Sequence, residues 1–508
     1  MLKILNAYKH LLNLFLHLAG INPINLKPTY MKQKSSKGLN RRDFLGLSAI
    51  GLTGLTILPS YVINGVRVAP SDRVLMGTIG LGRQALSDFR GFAGAKGLQV
   101  VACCDVDTLK QQRYKKTVEE WQKALGLAPR CDTYEQYEQL LERKDIDVVE
   151  VVTPDHWHAL MTIHACQAGK DVYVQKPLSY TIQEALVMTR VANDNKRVVQ
   201  VGSQQRSSKE FQKAIELVQN GSIGHIEKIY AKVGDPPKPL DLPAMPIPGN
   251  LNWNLWLGPL NDSKIVYHSD LAPQITLDPV QNETLWGAWR WYLETGNGYT
   301  ADWGAHMFDI AQAAIGMDGS APCEIIPKGY NGTQYMTFKY KTGVVMTEQP
   351  YLEDNPGAQG IKFIGTKGWI EVARGYIACS DSSLIPDDIK GNRPQPRGER
   401  PAAAQGQRQN RPANAPAQGR PAPTQAGLQF EISSPHMQNF IDCVRSRQKP
   451  IASIEVGCST AVTCCLGNIA NELGRPVKWD PATFTFIDDK EACNHRLMNY
   501  EYRRPYTL

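Results

Sequence analysis

Short apolar segments alternate with amphipathic segments between residues 73 and 202. The strand-like segments are Val74–Ile79, Leu98–Asp105, Val148–Thr153 and Val172–Val174, and helix-like segments span Arg83 onward, Lys110–Leu125 and His158–Ala168. Buried strands that alternate with helices are typical of a parallel sheet covered on both faces. The pattern therefore predicts an α/β fold whose first domain occupies residues 70–202.

The pattern changes after residue 203, where strand-like segments follow one another with few helices between them. These segments are His225–Lys232, Tyr335–Tyr340, Val344–Gln349 and Gly360–Val372. They predict a second, α+β domain over residues 203–508 with a large, mostly antiparallel open sheet. Within it, residues 393–426 contain no aliphatic side chain larger than alanine and predict a disordered insertion, because they cannot bury enough apolar area to fold.

The N-terminal segment 1–65 is interpreted as an extension followed by an export signal. The sequence Asn40-Arg41-Arg42-Asp43-Phe44-Leu45 precedes a weakly apolar, glycine-containing stretch and resembles a twin-arginine signal. It predicts a periplasmic protein exported by the twin-arginine route. No run approaches the ~18 apolar residues that a spanning helix needs, so no stable membrane insertion is expected after signal removal.

Composition describes a globular chain of 508 residues, with 42% hydrophobic residues and a net charge of +7. The basic excess lies in residues 1–42 and 393–420, and the remainder is net acidic, so no nucleic-acid partner is expected. The eleven cysteines are scattered without metal-ligand spacing. They are interpreted as small buried apolar residues, and no metal is predicted.

A glycine-rich segment, Gly80-Leu81-Gly82-Arg83-Gln84-Ala85, lies between the first predicted strand and helix. Such a turn lets the backbone approach a pyrophosphate at the N-terminus of the helix. The next predicted strand ends at Asp105, where an acid would meet the ribose hydroxyls and repel a 2′-phosphate. These features predict NAD, in preference to NADP, bound by Gly80, Gly82, Arg83, Gln84 and Asp105. The alternative is a glycine turn in a sheet that binds no nucleotide.

Four further motifs accompany the glycine segment. They are Thr153-Pro154-Asp155-His156-Trp157-His158, Gln175-Lys176-Pro177, Gly296-Asn297-Gly298 and Asp302-Trp303-Gly304-Ala305-His306-Met307-Phe308-Asp309. With the late segments His436–Phe440 and Trp479–Pro481, the chain from Arg73 onward resembles the Gfo/Idh/MocA family of glucose–fructose oxidoreductase, inositol dehydrogenase and their relatives. The resemblance implies a Rossmann domain, a second α+β domain and a homo-oligomer.

The resemblance also implies that Lys176, Asp302 and His306 surround a reacting carbinol, and that Thr153, Pro154, His158 and Lys176 contact the cofactor. Lys176 follows a parallel strand, at the sheet edge where such folds bind ligands. Asp302 and His306 are expected on one face of a single helix running to Gly316. Imidazole can take a hydroxyl proton and an ammonium group can stabilise an alkoxide. Gln175 departs from the family's glutamate, which removes a carboxylate beside Lys176.

A sugar or glycoside is the predicted substrate class, because six of the ten tryptophans lie between residues 253 and 303 and aromatic faces pack against pyranose rings. Candidate substrate contacts are His156, Trp157, Arg206, Trp256, His268 and Tyr299. The alternative for most of the tryptophans is a place in the core of the second domain.

The sequence thus predicts an NAD-dependent sugar or glycoside oxidoreductase with a tightly held cofactor. One alternative is an NAD-dependent glycosidase acting by transient oxidation and elimination, as in the family's N-acetylgalactosaminidases. Those enzymes resemble this chain at residues 153–158 and 296–298 but carry Gly-Asn-Gln-Gly-x-His where residues 301–306 stand here. The other alternative is a binding protein without turnover, against which the presence of Lys176 and His306 argues.

Overall fold

The computed structural model describes residues 61–63, 66–68, 73–278, 280, 281, 283, 286–396 and 434–508. The predicted N-terminal segment 1–65 with its export signal lies outside these residues apart from residues 61–63, and the predicted insertion lies outside them apart from residues 393–396. Over the described ranges, no helix combines the length and apolar character needed to cross a membrane.

The first domain contains a six-stranded sheet, preceded by a hairpin of β1 (Tyr61–Ile63) and β2 (Val66–Val68). Its strands are β3 (Val74–Ile79), β4 (Leu98–Cys104), β5 (Asp132–Tyr134), β6 (Val148–Val151), β7 (Asp171–Val174) and β8 (Val199–Val201). Its helices are α1 (Arg83–Ala93), α2 (Thr108–Ala124), α3 (Tyr137–Leu141), α4 (Asp155–Gln167) and α5 (Ile182–Asp194). All strand pairs are parallel and the order is β5-β4-β3-β6-β7-β8. This confirms the predicted doubly wound sheet.

The strand order reverses between β3 and β6, which start the two halves of the sheet. A crevice opens at the carboxyl ends of the strands at such a point, and open α/β sheets bind their ligands there. The glycine segment follows β3 directly and Thr153 follows β6. The fold therefore brings the predicted cofactor residues to one edge.

The second domain is built on a nine-stranded sheet of order β15-β14-β13-β9-β12-β11-β10-β16-β17. Its strands are β9 (Ile226–Lys232), β10 (Glu324–Ile326), β11 (Thr337–Lys339), β12 (Val345–Thr347), β13 (Gly360–Gly365), β14 (Gly368–Ala373), β15 (Tyr376–Cys379), β16 (Val477–Asp480) and β17 (Thr485–Phe486). Among the strand pairs that the described residues form, only β9 and β12 run parallel. The predicted large, mostly antiparallel sheet is confirmed.

The helices of the described residues after 203 are of several lengths. They are α6 (Lys209–Gln219), α7 (Trp253–Leu257), α8 (Gly298–Asp302), α9 (Gly304–Ala314), α10 (Asp387–Lys390), α11 (Pro435–Ser446), α12 (Ile454–Leu473) and α13 (Lys490–Cys493). Short 3₁₀ helices span Gln204–Ser207, Ala288–Trp291, Tyr330–Gly332 and Ser382–Leu384. Nine of the eleven cysteines are buried as predicted, including the adjacent pairs 103–104 and 464–465, whereas Cys323 is half-buried and Cys493 is exposed.

One predicted strand proves to be two. The segment Gly360–Val372 reverses at Thr366 and Lys367, so that β13 and β14 form an antiparallel pair closed by Gly365 and Gly368. The amides of Thr366 and Lys367 donate to the carbonyls of His225 and Ile223. The segment Gly365-Thr366-Lys367-Gly368 interrupts the apolar pattern at this point, and this local turn signal is missed when the whole segment is assigned to one strand.

Candidate active site

The glycine segment forms a turn that only glycine fits at its first position. Gly80 has φ +88°, and a Cβ there would lie 2.9 Å from the amide nitrogen of Thr153. Gly82 precedes α1, and no side chain caps the first amides of that helix. The N-terminus of a helix favours an anion, so this turn can hold a phosphate group.

Asp105 is fixed beside that turn. Its Oδ2 accepts a hydrogen bond from the Leu81 amide at 2.6 Å and its Oδ1 accepts one from the Asp107 amide at 2.9 Å. Burial raises the pKa of this carboxyl group. Gly80–Gln84, Asp105, Thr153 and Pro154 line a cavity of about 400 Å³, which we term the glycine-loop cavity.

The other wall of this cavity is formed by described residues between Leu251 and Arg290, among them Trp256, Glu283 and Trp289, which we term the covering segment. Glu283 lies near Gly82 and makes buried ion pairs with Arg113 at 2.9 Å and Lys110 at 3.3 Å. Arg113 also donates to the carbonyl oxygen of Leu81 at 2.6 Å. This network joins the covering segment to the glycine turn itself.

A second cavity, of about 980 Å³, adjoins the first and shares Thr153, Trp286 and Arg290 with it. We term it the Lys176 cavity. Lys176 Nζ donates to Asp302 Oδ1 at 2.7 Å and to the Asp302 carbonyl oxygen at 2.9 Å. Burial alone would raise the pKa of Asp302, but Lys176 and Arg290 outweigh it and hold that pKa below its ordinary value. Asp302 therefore supplies Lys176 with the carboxylate partner that Gln175 does not.

The prediction of one helix from Asp302 to Gly316 is wrong. α8 ends at Asp302 and α9 begins at Gly304, and the His306 amide donates to the carbonyl oxygen of Trp303 at 3.0 Å. In a continuous α-helix that amide would pair with the carbonyl of Asp302. Lys176 occupies that carbonyl instead, so the helix break and the lysine position share one cause.

His306 lines the same cavity and is 6% exposed. Its Nδ1 is buried and has no hydrogen-bond partner among the described residues. Burial, with Lys176 and Arg374 as nearby positive charges, holds the pKa of His306 well below its ordinary value. The imidazole is therefore neutral at pH 7 and can accept a proton.

Arg290 and Asp155 are among the ionisable groups that line the cavity without having been predicted there. Arg290 Nε lies 3.6 Å from Asp302 Oδ1, and its guanidinium stacks on Trp289 at 4.2 Å. Asp155, in the first turn of α4, is 4% exposed. Burial raises the pKa of Asp155 to about 8, although Arg290 and Lys176 partly oppose this rise.

Gln175 connects Lys176 to a buried carboxylate. Its Oε1 accepts from the Lys176 amide at 3.0 Å, and its Nε2 donates to Asp88 Oδ2 at 2.7 Å. Gln84 and Gln204 also donate to Asp88, at 2.8 and 3.0 Å. Burial raises the pKa of Asp88 to about 6 against the lowering effect of these amides. A carboxylate thus stands one hydrogen bond away from the position where the family carries glutamate.

The cofactor residues predicted from the sequence are largely brought together. Those lining the glycine-loop cavity are Gly80, Gly82, Arg83, Gln84, Asp105, Thr153 and Pro154, and Lys176 lines the adjoining cavity. His158 lines neither cavity. Its two ring nitrogens lie 2.8 and 3.0 Å from the carbonyl oxygens of Pro177 and Thr153, so it holds the two loops to each other.

The predicted substrate residues are more dispersed. Tyr299 lines the Lys176 cavity and stacks on Trp291 at 4.1 Å, whereas Trp157 and Trp256 line the glycine-loop cavity. His156 is fully buried and lies 3.0 Å from the carbonyl oxygen of Trp256. Its place is structural, and it does not reach the predicted substrate space.

Arg206 and His268 lie outside both cavities. Arg206 is buried and forms ion pairs with Asp309 at 2.7 Å and Asp318 at 2.6 Å, and His268 Nδ1 accepts from the Asp270 amide at 3.0 Å. Both side chains satisfy local partners, which corrects their prediction as substrate contacts. Over the described residues, no group of three His, Cys, Asp or Glu side chains could hold a metal ion.

A parallel sheet of this order, with a glycine turn at its reversal point and an uncapped helix behind the turn, defines the dinucleotide-binding Rossmann class. Residues 74–203 match the Gfo/Idh/MocA oxidoreductase family in its NAD-binding Rossmann fold, and residues 424–508 match the C-terminal alpha/beta domain of that family. These two segments therefore carry the two domains of the Gfo/Idh/MocA family.

Among curated relatives, a glycosyl hydrolase family 109 protein of Shewanella pealeana is 28% identical over 205 residues, 37% of this chain and 44% of the relative. Another, from Solibacter usitatus, is 30% identical over 165 residues, 31% and 37% of the two chains. The chain thus spans less than half the length of these curated relatives. A putative NADPH-dependent oxidoreductase of Desulfitobacterium hafniense has a similar structure, with TM-score 0.51 and 15% identity over 80% of this chain and 98% of that one. It supports the fold.

Proposed function

We propose that this chain is an NAD-dependent oxidoreductase that transfers hydride between a hydroxyl-bearing carbon of a sugar or glycoside and a tightly bound nicotinamide cofactor. The observation that carries the proposal is the position of the Lys176–Asp302 ion pair and His306 in a cavity that adjoins the glycine-loop cavity. The groups that could transfer a proton therefore lie next to the proposed dinucleotide site.

The residues present fit a dinucleotide. The close approach at Gly80 and the uncapped amides of α1 suit a pyrophosphate, and the Asp105 carboxylate suits ribose hydroxyls while it disfavours a 2′-phosphate. Bound there, NAD would supply the hydride acceptor. We therefore assign NAD in preference to NADP.

The side chains of the Lys176 cavity can manage the proton and the charge. Neutral His306 lines this cavity and can accept the hydroxyl proton. Lys176 donates to the oxygen on which negative charge develops, because an ammonium group has three donors and Asp302 occupies two. The Asp302 carboxylate has further acceptor positions for a neighbouring sugar hydroxyl.

The covering segment supports tight retention of the cofactor. Glu283 of the covering segment forms ion pairs with Lys110 and Arg113 of α2. Release of the cofactor would therefore require these buried ion pairs to break. Purified protein is expected to carry NAD(H). Mass spectrometry of the supernatant after heat denaturation tests this, and a supernatant without nicotinamide dinucleotide contradicts tight binding.

A glycosidase acting by transient oxidation is the second candidate, favoured by the curated glycosyl hydrolase family 109 relatives. In that reaction the ketone formed on the sugar acidifies the adjacent C–H, the aglycone is eliminated, water adds, and the ketone is reduced again. The segment 301–306 departs from the family's N-acetylgalactosaminidase motif, which is why the net oxidoreductase stands first.

Incubation with a panel of glycosides in D₂O, followed by mass spectrometry, separates these functions. A keto-glycoside lighter by two hydrogens indicates the oxidoreductase. A released sugar that carries deuterium beside the oxidised carbon indicates the glycosidase. Glycoside binding without any chemical change, detected as protection against thermal unfolding, indicates a binding protein and contradicts both enzymatic proposals.

Export by the twin-arginine route to the periplasm and homo-oligomerisation belong to the same proposal. The support for export is the Arg41–Arg42 pair ahead of a weakly apolar stretch. Replacing both with lysine is expected to leave the protein in the cytoplasm, as cell fractionation would detect. Light scattering of the purified protein tests the oligomer, and a monomer at micromolar concentration contradicts it.

A further inference from the structure

The described lining of the Lys176 cavity carries more cationic side chains than charged carboxylates. The cationic residues are Arg83, Arg90, Lys176, Arg290 and Arg374. The carboxyl residues are Asp155, Glu210, Glu283 and Asp302. This cavity belongs to a chain whose basic excess otherwise lies in residues 1–42 and 393–420, so its positive character is a local property of the site.

Each of these carboxyl groups is already engaged or neutral. Asp302 pairs with Lys176, and Glu283 pairs with residues of α2. Glu210 Oε1 accepts from the Gly375 amide at 3.0 Å, which fixes the turn carrying Arg374 without forming an ion pair with its guanidinium. Burial raises the pKa of Asp155 to about 8, so that group is largely neutral at pH 7.

Arg374, like Arg90, is a lining cation that these groups leave available, and its charge is one of those that lower the pKa of His306. It lies in the turn between β14 and β15, and its guanidinium stands 4.7 Å from the centre of the Trp303 ring. Trp303 connects α8, which ends at Asp302, to α9, which carries His306. Within the part of the chain that the structure describes, Arg374 makes no ion pair. An exposed guanidinium therefore faces the cavity beside the proton-transfer groups.

We propose that Arg374 recognises a negatively charged substituent on the sugar, a carboxylate in the first instance, so that the preferred substrate class is a uronic acid or its glycoside. This inference rests on the proposed function. The planar guanidinium fork matches a carboxylate through two parallel hydrogen bonds, and stacking on Trp303 fixes its plane. A sulfate ester presents the same charge with tetrahedral geometry.

The test compares matched charged and neutral ligands on the purified, cofactor-containing protein. The ligands are p-nitrophenyl β-D-glucuronide and β-D-galacturonide against the corresponding glucoside and galactoside, with a 6-sulfated galactoside as a third arm. Isothermal titration calorimetry gives each Kd, and nicotinamide absorbance gives the initial rate of reduction. We expect at least one uronide to bind about tenfold or more tightly than its neutral counterpart, as a charged hydrogen-bonded pair of about 1.5–3 kcal/mol would give.

Substitution of the arginine identifies the group responsible. Arg374→Gln is expected to reduce the uronide-to-neutral affinity ratio to near one, and Arg374→Lys to retain part of it. The matched control is Arg393→Gln, which removes an exposed arginine that pairs with Asp354 and does not line the cavity. It should leave the ratio unchanged.

The outcomes separate this inference from the proposed function. Uronides that bind no more tightly than neutral glycosides overturn it, whatever the rates. A preference that survives Arg374→Gln also overturns it, because another cation then recognises the charge. Tighter binding of the sulfated sugar than of both uronides would show that the site recognises a sulfate ester, and it would overturn the proposal of a carboxylate. If charged ligands bind as expected but no glycoside reduces the cofactor, the oxidoreductase proposal fails while the recognition stands.

Discussion

The two adjoining cavities are built from different parts of the polypeptide. The glycine-loop cavity presents backbone groups: a turn at Gly80, the N-terminus of α1 behind Gly82, and Asp105 held by two main-chain donors. The Lys176 cavity presents side chains from segments more than a hundred residues apart, with Lys176 bonded to Asp302. A site made of backbone groups is encoded by a short local motif. A site made of side chains depends on tertiary contacts and on which of its groups stay ionised when buried.

We expect His306→Asn to impair proton transfer in the Lys176 cavity while cofactor binding in the glycine-loop cavity stays unchanged. Removal of a general base typically costs about 10²–10⁴-fold in rate. We expect a loss of that order in kcat for any sugar that the protein oxidises, with an unchanged amount of bound NAD(H) measured by mass spectrometry. Because the pKa of His306 lies well below its usual value, the parent rate should show no ionisation of this histidine near pH 6.5. Unaltered turnover in the variant would refute its assigned role.

Gly80→Ala should instead impair cofactor binding in the glycine-loop cavity. The new methyl group would meet Thr153 at 2.9 Å in a backbone conformation with φ +88°. Strain of this kind costs about 1–3 kcal/mol, so we expect cofactor affinity to fall by roughly ten- to a hundredfold. Calorimetric titration of the cofactor-free protein measures it. Gly126→Ala is the control, since Gly126 also has positive φ but no atom lies within 4 Å of its added Cβ; an equal loss in both variants would exclude the specific contact.

Asp88→Asn tests the link between the cavities. The carboxylate accepts from Gln84, Gln175 and Gln204, and an amide could satisfy only part of this set. We expect a several-fold loss in kcat from misplacement of Lys176.

In the double variant with Gln175→Glu, the hydrogen-bond donor and acceptor are exchanged between positions 88 and 175, and part of the lost kcat should return. Gln175→Glu alone places two carboxyl groups together, and the pH–rate profile should shift upward. Failure of the double variant to exceed Asp88→Asn would show that Asp88 is only structural.

Asp155→Asn should have the smallest effect, visible in stability. The carboxyl ionises near pH 3.8 when exposed and near pH 8 when folded, so between these values the folded state binds a proton that the unfolded state does not. Stability of the parent therefore falls as pH rises through this window and levels off above it. The variant should gain a few degrees in Tm, about 2–4 °C per kcal/mol, growing from pH 5 to pH 8. The exposed Asp194→Asn serves as the control. A gain that is the same at both pH values would contradict the assignment.

The parallel sheet and the glycine-loop cavity, which consist largely of backbone groups, could be predicted from the sequence. The alternation of apolar and amphipathic segments gave the parallel sheet, and the glycine spacing placed Gly80, Gly82 and Asp105 correctly, because each signal lies within about 30 residues. Lys176, Asp302 and His306 were found through the family resemblance, and the structure places all three in one cavity.

The side-chain part was only partly predictable. The break at Trp303 depends on the lysine 126 residues earlier that takes the Asp302 carbonyl, a contact that no local pattern contains. Arg290 could have been noticed, since it stands between Trp289 and Trp291 in the aromatic stretch. Arg374 had no local signal. Arg206 looked like a substrate contact because its acidic partners lie more than a hundred residues away.

Helix α11 has a consequence for the order in which the chain can fold. Met437, Phe440 and Ile441 of this helix pack with Phe92 of α1 and Tyr173 of β7 in the core of the first domain. The earlier strands and helices thus lack part of their apolar core until residues beyond 440 have left the ribosome. The first domain, although it comes first in the sequence, is completed almost last during synthesis, and its exposed apolar surface must be kept from aggregation until then.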